Sequence, residues 1–185
     1  MILAAIRIVS ERGLESLTLA ECGEAAGYSR GLAAHYFKSK GDLIVAIANR
    51  IVVGYVEQLR ATRPAGGRGL EAILRSVSFY IDSSRRNLVS LRAFQAVVAS
   101  AINDSSLTEE VAKLNRAALE SFAAGIRWGI AHGEIRKDID PIAGAALIVA
   151  ALRGVMSFWL IDPKSIDLDV ITRELVDNLR RYFAP

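Results

Sequence analysis

In 185 residues the chain has one cysteine, two histidines and four prolines. A single thiol, Cys22, excludes an intramolecular disulfide and is compatible with a cytoplasmic setting. On its helical pattern Cys22 reads as a packed residue rather than a redox sensor. The two histidines, His35 and His132, are too far apart in sequence to suggest a zinc site, and no metal or other cofactor is expected. Paired catalytic carboxylates in a persuasive setting, a nucleophile elbow and a phosphate loop are all missing, so the chain does not read as an enzyme. Alternating β patterns, internal repeats and low-complexity segments are missing too. Scarce proline with 52% apolar residues suits a helical protein with large buried faces. The net charge of +3 permits nucleic-acid binding without indicating it. The apolar start, Met1 to Ala5, soon meets Arg7, Glu11 and Arg12, and so is too short and too charged for a signal peptide. Pro141 to Ile161 is a long apolar run whose one charge, Arg153, sits mid-segment, where lipid would penalise it. It reads as a helix packed by protein, not as a membrane span.

What is present is concentrated between Thr18 and Lys40. Thr18 can cap a helix through its hydroxyl, and Glu21 has the spacing of a capping box. Gly27 stands where the chain must turn sharply. Ser29 is placed to cap a second helix, and Ser39 with Asp42 repeats the start signal for a third. Two short helices joined by a glycine turn form a helix-turn-helix, whose second helix enters the major groove of DNA. Charge agrees: Arg30, Lys38 and Lys40 fall between Tyr28 and Lys40 with no acidic residue, while the first helix carries Glu21 and Glu24. Arg30 is placed for base edges, and Lys38 and Lys40 for phosphates. Small residues at Gly31, Ala33 and Ala34 let this segment lie close to the groove.

Residues 2–47 resemble the DNA-binding domain of the TetR family of bacterial transcriptional regulators. The matching pieces are Ile2-Leu3-Ala4-Ala5, Glu11-x-Gly13, Leu17-Thr18-Leu19, Ala26-Gly27-x-Ser29-x-Gly31, His35-Tyr36-Phe37 and Ser39-Lys40-x-x-Leu43. The resemblance implies an all-α homodimer. A three-helix DNA-binding domain over residues 1–45 would precede a larger effector-binding and dimerisation domain over 46–185. By position, Arg30, Gly31, Ala33, His35 and Tyr36 would face a double-stranded operator, and Thr18 and Lys40 would hold phosphates. The chain departs from the family pattern at Cys22, Gly23, Ala33 and Ala34, and the tyrosine often found at the position of Ala34 is absent. The basic arm that relatives often carry before the first helix is not in this sequence, which predicts either weaker or more salt-sensitive binding or a start placed short of the native one.

Beyond the motif, helices are expected at about 2–12, 40–62, 70–85, 88–101, 106–132, 140–160 and 167–183. Pro64-Ala65-Gly66-Gly67 is the clear loop, and Ser106-x-x-Glu109 is a further capping box. The last two helices look like a dimer face, with Leu147, Ala151, Gly154 and Phe158 on one and Leu175 and Leu179 on the other. Aromatic and polar residues on otherwise aliphatic helices mark a candidate pocket for a small-molecule effector: Phe79, Tyr80, Leu91, Arg92, Phe94, Gln95, Phe122, Trp128 and His132. Arg92 or Arg153 could meet an anionic effector. The implied mechanism is a repressor released from a near-palindromic operator when effector binding, acting through helix 40–62, changes the spacing of the recognition helices. The alternative is a helical dimer that binds small molecules but has lost specific DNA binding.

Overall fold

The computed structural model describes residues 1–61 and 67–185. Among them are nine α-helices and no strand. They are α1 (Ile2–Arg12), α2 (Leu19–Ala25), α3 (Leu32–Tyr36), α4 (Lys40–Ala61), α5 (Gly69–Arg86), α6 (Leu88–Ser100), α7 (Ser105–Ala131), α8 (Pro141–Ile161) and α9 (Leu168–Phe183). Thr62, the expected end of the long helix, and Pro64 to Gly66 of the expected loop lie outside the described residues.

Local chemistry sets most helix starts. Thr18 Oγ1 accepts from the Glu21 amide at 3.1 Å, and Ser39 Oγ accepts from the Asp42 amide at 3.1 Å. Asp140 Oδ1 takes the Ala143 amide at 2.7 Å, with Pro141 at the first helical position. Asp167 Oδ1 takes the amides of Asp169 and Val170. Two starts differ from expectation. Ser29 does not cap α3: the helix begins at Leu32, and Ser29 supplies only its backbone oxygen to the Leu32 amide at 3.1 Å. The chain around Arg30 and Gly31 is a turn instead. At α7 the cap is Asp104 rather than Ser106, because Asp104 Oδ1 accepts from both the amide and the hydroxyl of Ser106.

The chain divides into two compact units: residues 1–57 with 85–113, and residues 58–84 with 114–185. Helices α4, α5 and α7 each contribute to both. In the first unit α1 packs on α6 and α2, and α2 on α3. Its core includes Ile6, Val9, Leu17, Cys22, Leu43, Ile47, Leu91 and Val97. In the second unit Ile73, Val77, Ile126, Ile135, Ile148, Met156 and Phe183 are buried. Glycines let these side chains in: a Cβ at Gly129 would lie 2.7 Å from Ile135, and one at Gly144 would lie 3.1 Å from Ile126. Gly69, at φ +72°, starts α5 where a Cβ would meet Trp128 at 2.7 Å, and Glu134 Oε2 accepts the following Leu70 amide at 3.0 Å. Arg180 pairs with Glu71, which joins α9 to the first turn of α5. The Arg136 amide donates to Phe183 O at 3.0 Å, and its guanidinium lies 5.3 Å from the centre of the Tyr182 ring.

By length and composition α8 could cross a membrane. Its stripe of Gly144, Ala145, Ile148, Leu152 and Met156 is nevertheless buried within the second unit.

Candidate nucleic-acid interface

The motif is built around a turn that brings α3 back against α2. Gly27 has φ +79°, a conformation that a side chain would strain. The Gly27 amide donates to Glu24 O, and the Tyr28 amide to Gly23 O, each at 2.9 Å. Gly23 is buried, and a Cβ there would lie 2.7 Å from the Ser29 carbonyl oxygen and 3.7 Å from Ala33 Cβ. The missing side chain is what lets the turn close on α2.

Ala33 corrects the sequence expectation. It is 0% exposed and faces α2 rather than outward, because the short helix needs a small apolar contact beneath it to dock. Most of the residues around it face solvent. Ser29, Arg30, Gly31, Ala34, His35, Tyr36 and Lys38 are all exposed. Tyr36 is 65% exposed, and its ring meets His35 edge-on with centroids 5.5 Å apart. Tyr28, in the turn, is also exposed and was not singled out from sequence. Its place directly after the turn glycine is the signal that could have found it.

Two of the basic groups, Arg30 and Lys40, have intramolecular partners. Arg30 Nε pairs with Glu24 Oε1, and that carboxylate raises the guanidinium pKa from its ordinary value. Lys40 is half-buried, with Nζ 3.3 Å from Glu15 O. Thr18 is exposed while capping α2. Arg12 and Glu21 pair across α1 and α2. Beneath the interface, burial pushes the Cys22 thiol up, and its Sγ–H lies 3.4 Å from Met1 O. Cys22 is therefore a packed thiol.

The expected pocket residues separate between the two units. Leu91, Arg92, Phe94 and Gln95 belong to the first, and Phe79, Tyr80, Phe122, Trp128 and His132 to the second. Leu91 is buried in its unit's core, and Arg92 is exposed. Trp128 and His132 stack with centroids 3.8 Å apart at the end of α7. His132 Nδ1–H donates to Trp128 O at 2.8 Å, since a carbonyl can only accept. Phe79 lines an open groove of about 360 Å³ between α5 and α9, beside Arg75, Val176 and Arg180. On the expected dimer face, Leu147 and Phe158 are 56% and 71% exposed, while Ala151, Gly154 and Leu175 are half-buried. Leu179 is instead buried in the second unit, on the inward side of amphipathic α9.

A helix-turn-helix with a solvent-facing basic turn, followed by a helical C-terminal half, defines a class of DNA-binding regulator. Comparison with known proteins agrees. Residues 2–47 match the profile of bacterial regulatory proteins of the tetR family, and residues 69–184 match that of the C-terminal region of BetI-type transcriptional repressors. The chain belongs to the TetR family: it is a transcriptional regulator that binds DNA and responds to a ligand, not an enzyme. Among its relatives is the HTH-type transcriptional regulator BetI of Serratia proteamaculans, 24% identical over 93% of this chain and 89% of that protein. A TetR-family structure from Rhodococcus sp. superposes with a TM-score of 0.85 at 25% identity, covering 99% of this chain and 96% of the other. The regulator FadR of Bacillus subtilis, solved with stearoyl-CoA, superposes with a TM-score of 0.82 at 16% identity, covering 98% and 97%.

Proposed function

We propose that the protein is a cytoplasmic homodimeric repressor. It binds a near-palindromic operator through residues 1–45 and leaves it when a small molecule binds within residues 46–185. The observation that carries the reading is the one-sided turn and α3. Ser29, Arg30, Gly31, His35, Tyr36 and Lys38 face solvent together, while Ala33 anchors the helix from behind. Arg30, Gly31, His35 and Tyr36 meet the major groove. Ser29, Thr18, Lys38 and Lys40 hold phosphates. The name of the matched C-terminal profile supports repression. Both the BetI relative and FadR span nearly the whole chain, which supports an effector domain of the same extent.

The effector acts by population shift. One arrangement of the two recognition helices fits successive half-sites, and the ligand favours another. Helix α4 belongs to both units, as α5 and α7 do, and so provides a continuous covalent path for that change. The exposed stripe of α8, from Leu147 through Phe158, joins two copies, and this is the role we assign to its apolar surface in place of membrane insertion.

Fluorescence anisotropy on DNA from upstream of the protein's own gene, against scrambled DNA of equal length, tests the reading. Two protomers should bind per site. Arg30→Ala should cost about 1–3 kcal/mol and relax base preference, as expected for an arginine on guanine. Equal binding to both DNAs, confined to low salt, would instead favour a helical dimer that no longer reads sequence.

A further inference from the structure

Helix α8 carries a single charged side chain in its 21 residues, Arg153, set near the middle. Arg153 is half-buried, with buried Met156 and half-buried Val149 one turn to either side. A guanidinium in such a setting is costly unless it is hydrogen-bonded there. Its Nη2 donates to Asn115 Oδ1 of α7 at 2.6 Å. Half-buried Tyr80 of α5 stands near enough for its hydroxyl and Arg153 to influence each other's charge, and Ser84, one turn on, hydrogen-bonds the Tyr80 side chain. All four residues belong to the second unit.

The protonation states are clear. Burial lowers the Arg153 pKa, yet a guanidinium starts so high that it stays charged near neutrality. Burial raises the Tyr80 hydroxyl pKa, so the phenol stays neutral and keeps its proton. Asn115 turns its oxygen to Arg153, which leaves its NH₂ as a donor. Three helices therefore bring a cation and further hydrogen-bond donors together beside the otherwise uncharged α8. The complementary group accepts several bonds and carries negative charge, as a carboxylate does.

We propose that the effector is an organic anion, a carboxylate on an apolar body, whose headgroup is held by Arg153 with Tyr80 and Asn115 as additional donors. This rests on the reading of the C-terminal region as the effector domain and gives that effector its chemical class.

The test is calorimetric titration of the purified dimer, without DNA, using two matched sets of probes: decanoate against decanol and decyltrimethylammonium, and benzoate against benzamide. At least one carboxylate should bind about tenfold or more tighter than its neutral partner. Arg153→Gln should weaken that carboxylate by about ten- to hundredfold, and Tyr80→Phe by roughly three- to tenfold, as expected for charged and single hydrogen bonds. Arg153→Lys should recover part of the loss. Tyr80→Phe and Arg153→Lys keep the proposal testable if Arg153→Gln fails to fold. The proposal is overturned if the neutral or cationic probes bind as well as the anions, if no carboxylate binds, or if the Arg153 and Tyr80 variants bind carboxylates like the wild type. Operator anisotropy on the same samples separates the two readings. Intact DNA binding without headgroup discrimination removes this proposal alone. Discrimination without DNA binding removes the regulator reading and leaves the anion site.

Discussion

The base contact proposed for Arg30 competes with a partner it already has. In the protein by itself its Nε pairs with Glu24 across the turn, with both side chains largely in water. Exposed pairs of this kind contribute little, so the competition is mild, but Glu24 also adds a negative charge beside the proposed path of a phosphate backbone. Glu24→Gln removes both effects while keeping the side chain's size. Operator affinity should rise by roughly two- to fivefold at low salt, consistent with a pair of that strength. The gain should shrink at higher salt, where exposed charges are screened. Anisotropy across a salt series reads this directly. An affinity that does not move at any salt concentration would mean that Glu24 leaves Arg30 available, and that the pair seen here has no part in recognition.

At the scale of elements, the sequence was most informative where structure is made locally. Thr18, Ser39, Asp140 and Asp167 mark helix starts because a cap is a contact within three residues, visible as spacing. The start of α3 was not legible, because a five-residue helix is held by docking and not by its own cap. Ser29 looked like a cap and serves as a turn carbonyl. Which face of a helix turns inward was equally hidden for small or evenly apolar segments. Ala33, Leu91 and Leu179 are buried by partners that no local pattern names. Gly23 shows the same limit from the other side. Its lack of a side chain matters because Ser29 O comes close, a fact of tertiary structure. Gly23→Ala would place a Cβ 2.7 Å from that backbone oxygen, so the turn must shift. An overpacked site of this kind typically costs about 1–3 kcal/mol, which outweighs the roughly 0.5–1 kcal/mol that an alanine returns in helix propensity. Thermal melts should show the loss, and operator affinity should fall with it because the turn carries Arg30. A variant as stable as the wild type would show that α2 and the turn can separate without penalty.

For the molecule as a whole, the apolar surface of α8 bears on whether one chain is enough. Leu147, Ala151, Gly154 and Phe158 recur at four, three and four residues, and so share one stripe of the helix. Leu147, Phe158 and Ile161 are well exposed along α8, and a Cβ at Gly154 would meet no atom within 4 Å. Opposite them, Ile148, Leu152 and Met156 are buried in the second unit. A helix apolar on both sides has one side to spend on a partner. In the proposed dimer that partner is the same stripe of a second copy, so any substitution enters the interface twice. Phe158 is the large side chain on this stripe and the natural anchor. Phe158→Glu should cost about 2 kcal/mol or more per copy, the scale of an interface hot spot. In sedimentation the wild type should run as a dimer and the variant as a monomer, with helix content by circular dichroism unchanged because Phe158 adds little to its own unit's core. Operator affinity should drop by about a hundredfold or more, since each half-site would then be bound without the effective concentration its partner supplies. A variant that remains dimeric would move the interface off this stripe and leave the exposed face of α8 in need of another partner.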